Sequence, residues 1–177
     1  MNVQRFASLD LVEVNVVLRT VASAQRLGLV GVARTATRLG NGWIYPPLSL
    51  LLLLIGDNEH ALRILASSAA SLGIAFTIYP STKRFLARMR PCEYAPSLAY
   101  GPGPMDRYSC PRGHAMTAAA YAVPLIAAWP PAAPVAIVLW AVIGWSRVAV
   151  GHHYVSDVLF GSILGASIAA PVVVLAL

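Results

Sequence analysis

At 177 residues, with 58% hydrophobic and 11% charged side chains and a mean hydropathy of +0.67, the chain is too apolar for an ordinary soluble domain. It reads as an all-α integral membrane helical bundle. The formal net charge of +6 gathers in the N-terminal forty residues and between Lys83 and Arg112. A charge localised in this way argues against a nucleic-acid partner and for anionic head groups or phosphorylated substrates. Asp10, Glu13, Arg19 and Arg26 interrupt the apolar positions of the first thirty residues, so neither a signal-peptide core nor a cleavage pattern is expected there.

In chain order, residues 1–40 predict one or two amphipathic helices lying on the membrane surface. Arg26, Arg34 and Arg38 fall on roughly one side of a helix, and each would cost about 2.5 kcal/mol or more at the bilayer centre. Residues 41–177 form the expected membrane-embedded domain. Leu39 to Gly56 is uncharged and predicts a first crossing, bent or started by Pro46 and Pro47. Ile64 to Thr82, uncharged for 19 residues, predicts a second. Its Ser67, Ser68, Ala69, Ala70, Ser71 and Gly73 suit close helix approach.

Lys83 to Gly113 carries five prolines and is the one long loop, of the kind that bears function. Ala115 to Ser146 predicts two helices joined at Pro130, Pro131 and Pro134. Val158 to Leu177, uncharged for 20 residues, predicts the last crossing, with Gly161 and Gly165 as a close-packing face. About five crossings then place the Lys83–Gly113 loop and the Ser146–His153 turn on one side of the membrane.

The unusual polar residues converge on that side. The stretch from Trp145 to Asp157 sets Arg147, His152, His153 and Asp157 between two apolar segments, and such groups are costly at a membrane boundary unless paired or used. His153 and Asp157 are four apart, so on a helix the carboxylate would accept from one ring nitrogen and leave the other free to react. Together with Lys83, Arg90, Arg112, and Gly113–His114 at a helix start, these are the parts of a phosphoryl-transfer site. The cations and a helix N-terminus neutralise phosphate, and two imidazoles divide nucleophile and acid duties. No metal and no cofactor is required.

Three motifs carry a resemblance: Lys83-x6-Arg90-Pro91, Pro111-Arg112-Gly113-His114 and Ser146-Arg147-x5-His153-x3-Asp157. From about Gly42 onward the chain resembles the type 2 phosphatidic acid phosphatase superfamily, whose motifs run K-x6-RP, PSGH and SR-x5-H-x3-D. The resemblance implies a metal-independent membrane lipid phosphatase acting on a lipid phosphate or pyrophosphate, such as undecaprenyl pyrophosphate or a glycerolipid phosphate. It implies that His153 attacks phosphorus to form a phosphohistidine, that Asp157 orients it and that His114 protonates the leaving group. Lys83, Arg90, Arg147 and the Gly113 N–H would hold the phosphoryl oxygens.

Arg112 stands where the family has serine. A guanidinium adds charge, donors and bulk, so it either substitutes as a phosphate ligand or blocks the pocket. Two alternatives follow: a lipid-linked phosphotransferase, or a non-catalytic lipid-phosphate-binding membrane protein. Orientation is read both ways. The count of positive residues puts the site in the cytoplasm, whereas bacterial relatives implied by the resemblance face out of the inner membrane, toward the periplasm or the exterior.

The remaining polar residues have plainer expectations. His152 is a rim contact, His60 a surface residue and Arg84 a head-group contact, whereas Arg88 fits either that role or the site. Asp106 and Arg107 suit a loop ion pair, Tyr94, Tyr100 and Tyr108 a substrate entrance, and the tryptophans interfacial anchoring. Cys92 and Cys110 bracket the loop and are expected either as a disulfide or as free thiols.

Overall fold

A computed structural model describes residues 6–98 and 108–177. Tyr100 and the Asp106–Arg107 pair lie outside the described residues. Within them the chain is helical, with no strand: α1 (Ala7–Arg26), α2 (Val30–Arg38), α3 (Tyr45–Ile55), α4 (Asn58–Leu86), α5 (Pro91–Tyr94), α6 (Gly113–Ala128), α7 (Ala133–Ala149) and α8 (Val155–Ala176). A π-helical turn, Leu39–Trp43, joins α2 to α3.

The helix boundaries have local causes. Pro46 and Pro47 sit in the first turn of α3, where a missing N–H costs nothing, so they start the helix. Asp57 caps α4 by accepting from the His60 N–H at 3.2 Å, and Ala87, at φ 45°, ends it in the left-handed region. Pro130 to Ala132 make the turn between α6 and α7.

The expected five crossings resolve into helices of unequal length. Three segments are long and apolar enough to span alone: Asn58–Tyr94, Pro130–Ala149 and Val155–Ala176. A fourth is reached if Ala7–Arg26 and Val30–Trp43, bent by 112°, count as one broken span. The apolar helices α3 and α6, with 11 and 16 residues, reach only about 16 and 24 Å at 1.5 Å per residue. The first expected crossing therefore divides into the π turn and short α3.

Helix α6 is the centre of the bundle, packed on α8, α4 and α7. The predicted glycine face is used here. A Cβ on Gly161 would lie 2.5 Å from the Arg112 carbonyl oxygen, and one on Gly165 would lie 2.1 Å from that of Met116. Only glycine lets α8 come this close to α6. On the other flank Ser67, Ser68 and Ser71 are buried, and the Ser68 hydroxyl donates to the Tyr121 carbonyl of α6. Helix α2 packs along α7, which brings the N-terminal segment to the polar end of the bundle.

Candidate active site

Three chain segments are stitched together at that end. The Arg112 N–H donates to the Asp157 carbonyl at 3.2 Å, joining the starts of α6 and α8. The Ser109 N–H donates to the Arg88 carbonyl at 2.8 Å, joining the long loop to the segment after α4. Arg112, at the first junction, and His153, beside the second through the Ser109 carbonyl, are both buried.

His153 is fully buried, and its two ring nitrogens have different neighbours. Nδ1 lies 3.0 Å from the Ser109 carbonyl, which can only accept, so Nδ1 carries the proton. Nε2 faces Arg90 Nη1 at 2.9 Å and Arg112 Nη1 within hydrogen-bond distance; both are obligate donors, so Nε2 presents its lone pair. Burial, then the charges of Arg112, Arg90, Arg147 and Lys83, hold its pKa well below the usual histidine value. His153 is thus a neutral imidazole with its nucleophilic nitrogen turned into a cluster of cations.

The Asp157 pairing differs from the helical expectation. His153 precedes α8, whose N-cap is Tyr154, so the two residues do not share a helix face. Asp157 Oδ2 accepts from the Tyr154 N–H at 3.0 Å and lies 3.6 Å from His153 Nδ1, farther than the Ser109 carbonyl. Its other oxygen takes a 2.8 Å bond from Arg88 Nη1. A capping requirement, in place of the i,i+4 rule, brings the carboxylate beside the imidazole.

Arg88, left between two roles by the sequence, is 2% exposed and joins α1 to the site. Nε donates to Asp10 Oδ1 at 2.8 Å, Nη2 to Glu13 Oε2 at 2.7 Å, and Nη1 to Asp157 and to the Ser156 hydroxyl. Its guanidinium carbon lies 4.0 Å from the centre of the Tyr154 ring. The sequence expectation puts Asp10 and Glu13 among the apolar residues of an amphipathic helix on the membrane surface. Their i,i+3 spacing was visible, but the buried partner 75 residues away was not.

The second imidazole belongs to His114 on the first turn of α6. Arg112 Nη2 donates to His114 Nδ1 at 2.8 Å, while His114 Nε2 bonds to Asn41 Oδ1. Arg112 therefore bridges the two histidines, a reach that serine in its place would lack. Arg147, 4% exposed, donates from Nη2 to the Thr37 carbonyl at 2.6 Å and to Asn41 Oδ1 at 3.0 Å. Lys83 Nζ donates to the Tyr79 hydroxyl at 2.6 Å, and the Tyr79 ring would be 3.0 Å from a Cβ on Gly113.

The structure therefore gathers His153, His114, Arg90, Arg112 and Arg147, and ties Lys83 and Gly113 together through Tyr79. Sequence reasoning missed Thr37, Asn41, Tyr79 and Ser109, among which Tyr79 alone had a local signal, at i−4 from Lys83. His152 is half-buried; burial and then Arg90, Arg112 and Arg147 lower its pKa to about 4, and its carbonyl accepts from Arg90 at 2.8 Å. His60 lies at the far end of the bundle, 3.1 Å from the Ala128 carbonyl. Both cysteines are free thiols; burial pushes Cys110 up to about 12 and keeps it protonated. Among the described residues no His, Cys, Asp and Glu cluster is arranged to hold a metal.

Fold and site together define an integral membrane helical protein whose buried polar end joins two histidines to several cations. The sequence profile of the PAP2 superfamily matches residues 61–176, and the chain belongs to that family. It is 30% identical over 139 residues to an undecaprenyl-diphosphatase of Sulfolobus acidocaldarius, covering 77% of this chain and 66% of the relative, so it spans about two thirds of that protein's length. It is 29% identical over 152 residues to a decaprenylphosphoryl-5-phosphoribose phosphatase of Mycobacterium tuberculosis, covering 84% and 81% of the two chains. The fold is similar to the crystal structure of a transmembrane PAP2-type phosphatidylglycerolphosphate phosphatase from Bacillus subtilis. That match has a TM-score of 0.69 and 24% identity, and covers 93% of this chain and 84% of that one.

Proposed function

We propose that the protein is a membrane lipid phosphatase that works through a phosphohistidine on His153. The observation that carries this reading is the lone pair of His153 Nε2, which faces Arg90 and Arg112. Cations held this close together repel one another, and a phosphate anion relieves that repulsion while bringing phosphorus to the nucleophile. Phosphate draws Arg112 away from His114 Nδ1 and offsets the surrounding cations, so that His114 takes up a second proton. Attack by His153 Nε2 then forms the N–P bond as the P–O bond to the lipid breaks, and the departing oxygen takes a proton from the His114 imidazolium. A water that gives a proton back to His114 then cleaves the N–P bond, releasing phosphate and His153. Arg112 swings from Nε2 onto the phosphoryl oxygens as substrate enters, beside Arg90 and Arg147. Lys83 and the Gly113 N–H complete the cradle. No step needs a metal.

The substrate is a lipid. An apolar cavity of about 280 Å³ between α3, α6 and α7 is lined by Ile44, Tyr45, Leu52, Tyr121, Trp140 and Ile143. Ile143 also lies where a Cβ on Gly40 would meet both it and His114, so the cavity abuts the polar site. Two relatives are named for polyprenyl-linked phosphates, which makes polyprenyl phosphates and diphosphates the first substrates to test and glycerolipid phosphates the second. Residues 6–40 lie along the membrane surface with the exposed Arg19, Arg26, Arg34 and Arg38 toward head groups, and by the family resemblance the site opens on the outer face of the membrane. The contact of Arg112 with the nucleophile also favours a second reading, in which Arg112 occludes the site and the protein only binds lipid phosphates.

Phosphate release by detergent-purified protein in EDTA tests both readings. Wild-type turnover that disappears in His153→Ala is the expected result. Full activity in that variant removes His153 as nucleophile, and metal-restored activity after chelation ends the metal-free mechanism. An inert wild type revived by Arg112→Ser establishes the occluded site.

A further inference from the structure

We propose that Asn41 is a positioning residue for the acid step, and that its side-chain oxygen aims His114 Nε2–H at the place the leaving-group oxygen of the lipid reaches. The inference rests on the phosphatase reading and on its assignment of His114. Arg112 can only donate, so His114 Nδ1 accepts and Nε2 must carry the proton. That N–H points at Asn41 Oδ1, and Arg147 Nη2 donates to the same atom at 3.0 Å. With donors on both sides, the amide oxygen, and not the nitrogen, must face inward.

One oxygen thus receives a proton donor and a guanidinium together, which is what an alkoxide needs as it separates from phosphorus. The backbone holds Asn41 in this place. A Cβ on Gly40 would lie 2.9 Å from Ile143 Cγ2, 3.4 Å from His114 Cδ2 and 3.6 Å from Arg147 Nη2, so the chain itself is pressed against the site. Gly42, at φ 108°, turns the chain away immediately afterwards. Asn41 is exposed, at the mouth, so the leaving oxygen of an entering lipid arrives beside its Oδ1 without rearranging the core. It holds the His114 proton on Nε2, the nitrogen that faces the leaving group.

The test compares leaving groups. Phosphatidic acid and decaprenyl phosphate lose an alkoxide that must be protonated, whereas p-nitrophenyl phosphate loses a phenolate that need not be. In Asn41→Ala, kcat on the lipids should fall about tenfold or more, with KM nearly unchanged and p-nitrophenyl phosphate spared to within about threefold, the same pattern as His114→Ala. Asn41→Asp retains both bonds and adds charge, so it should keep the lipid activity with the basic limb of its pH profile moved upward; it serves also where the alanine variant does not fold. Equal losses on all substrates, or no loss on any, overturn the proposal for Asn41. His114→Ala without leaving-group dependence overturns the acid assignment beneath it. A wild type inert toward all three substrates overturns the phosphatase reading and this proposal together.

Discussion

Arg88 and Arg90 stand two residues apart on one short segment, are both 2% exposed, and reach different groups. Arg88 is held by three carboxylates, from Asp10, Glu13 and Asp157, and by the Ser156 hydroxyl. Arg90 instead turns one amine toward a carbonyl and the lone pair of His153. A buried charge that has its counter-charges is a brace. In the proposed function, a buried charge directed at the His153 lone pair beside other cations is a receptor for an anion. The comparison shows that the brace and the receptor are assembled side by side, with Asp157 and His153 as the adjoining members of each.

The largest effect should come from the brace. Arg88→Ala strands two buried carboxylates, Asp10 and Asp157, and the partly buried Glu13, and should cost about 3–5 kcal/mol, seen as loss of folded protein or a steep drop in Tm. A variant that stays folded and loses only activity would show that Arg88 belongs to the receptor. Next, Arg90→Ala should leave the fold nearly intact and reduce kcat/KM by about 10²- to 10³-fold, as for the loss of one charge-stabilising donor. A collapse in stability equal to that of Arg88→Ala would erase the distinction between the two.

The smallest effect is a pH dependence of stability. In the folded protein His153 and His152 resist protonation, whereas in the unfolded chain both take up protons below about 6.5. Their contribution to stability is complete above that pH. It is lost as pH falls toward the folded value, about 4 for His152 and lower than the usual value for His153, at no more than about 1.4 kcal/mol per pH unit for each. Unfolding followed between pH 7 and 5 should show this slope, and inorganic phosphate should reduce it by offering the protonated imidazoles an anion. A flat profile would mean that the receptor accommodates protons freely.

The receptor was much more legible in the sequence than the brace. Motif spacing pointed to Lys83, Arg90, His114, Arg147, His153 and Asp157 because each lies at a helix end fixed by nearby prolines, glycines or apolar runs. Spacing could not say how Asp157 meets His153, since four residues imply a shared helix face only when both residues are inside the helix. Nothing local in the sequence reveals that Asp10 and Glu13 have a partner beyond α4. Asn41 and Thr37 were equally silent: their contacts depend on the 112° bend that lays α2 along α7, a tertiary fact with no counterpart in periodicity. The short α3 was misjudged for a related reason, as an uncharged run of 18 residues hides the π turn and the Gly40–Gly42 corner within it.

The brace also imposes an order on biogenesis. Asp10 and Glu13 leave the ribosome long before Arg88, and longer still before Asp157 and Ser156. A carboxylate cannot leave water for an apolar interior while its cation is missing. Helix α1 must therefore wait in the aqueous boundary until α4 has been inserted and α8 has begun, and it docks only then. A helix made before α4 and α8 is thus locked in place after them, and the polar end of the bundle closes with it.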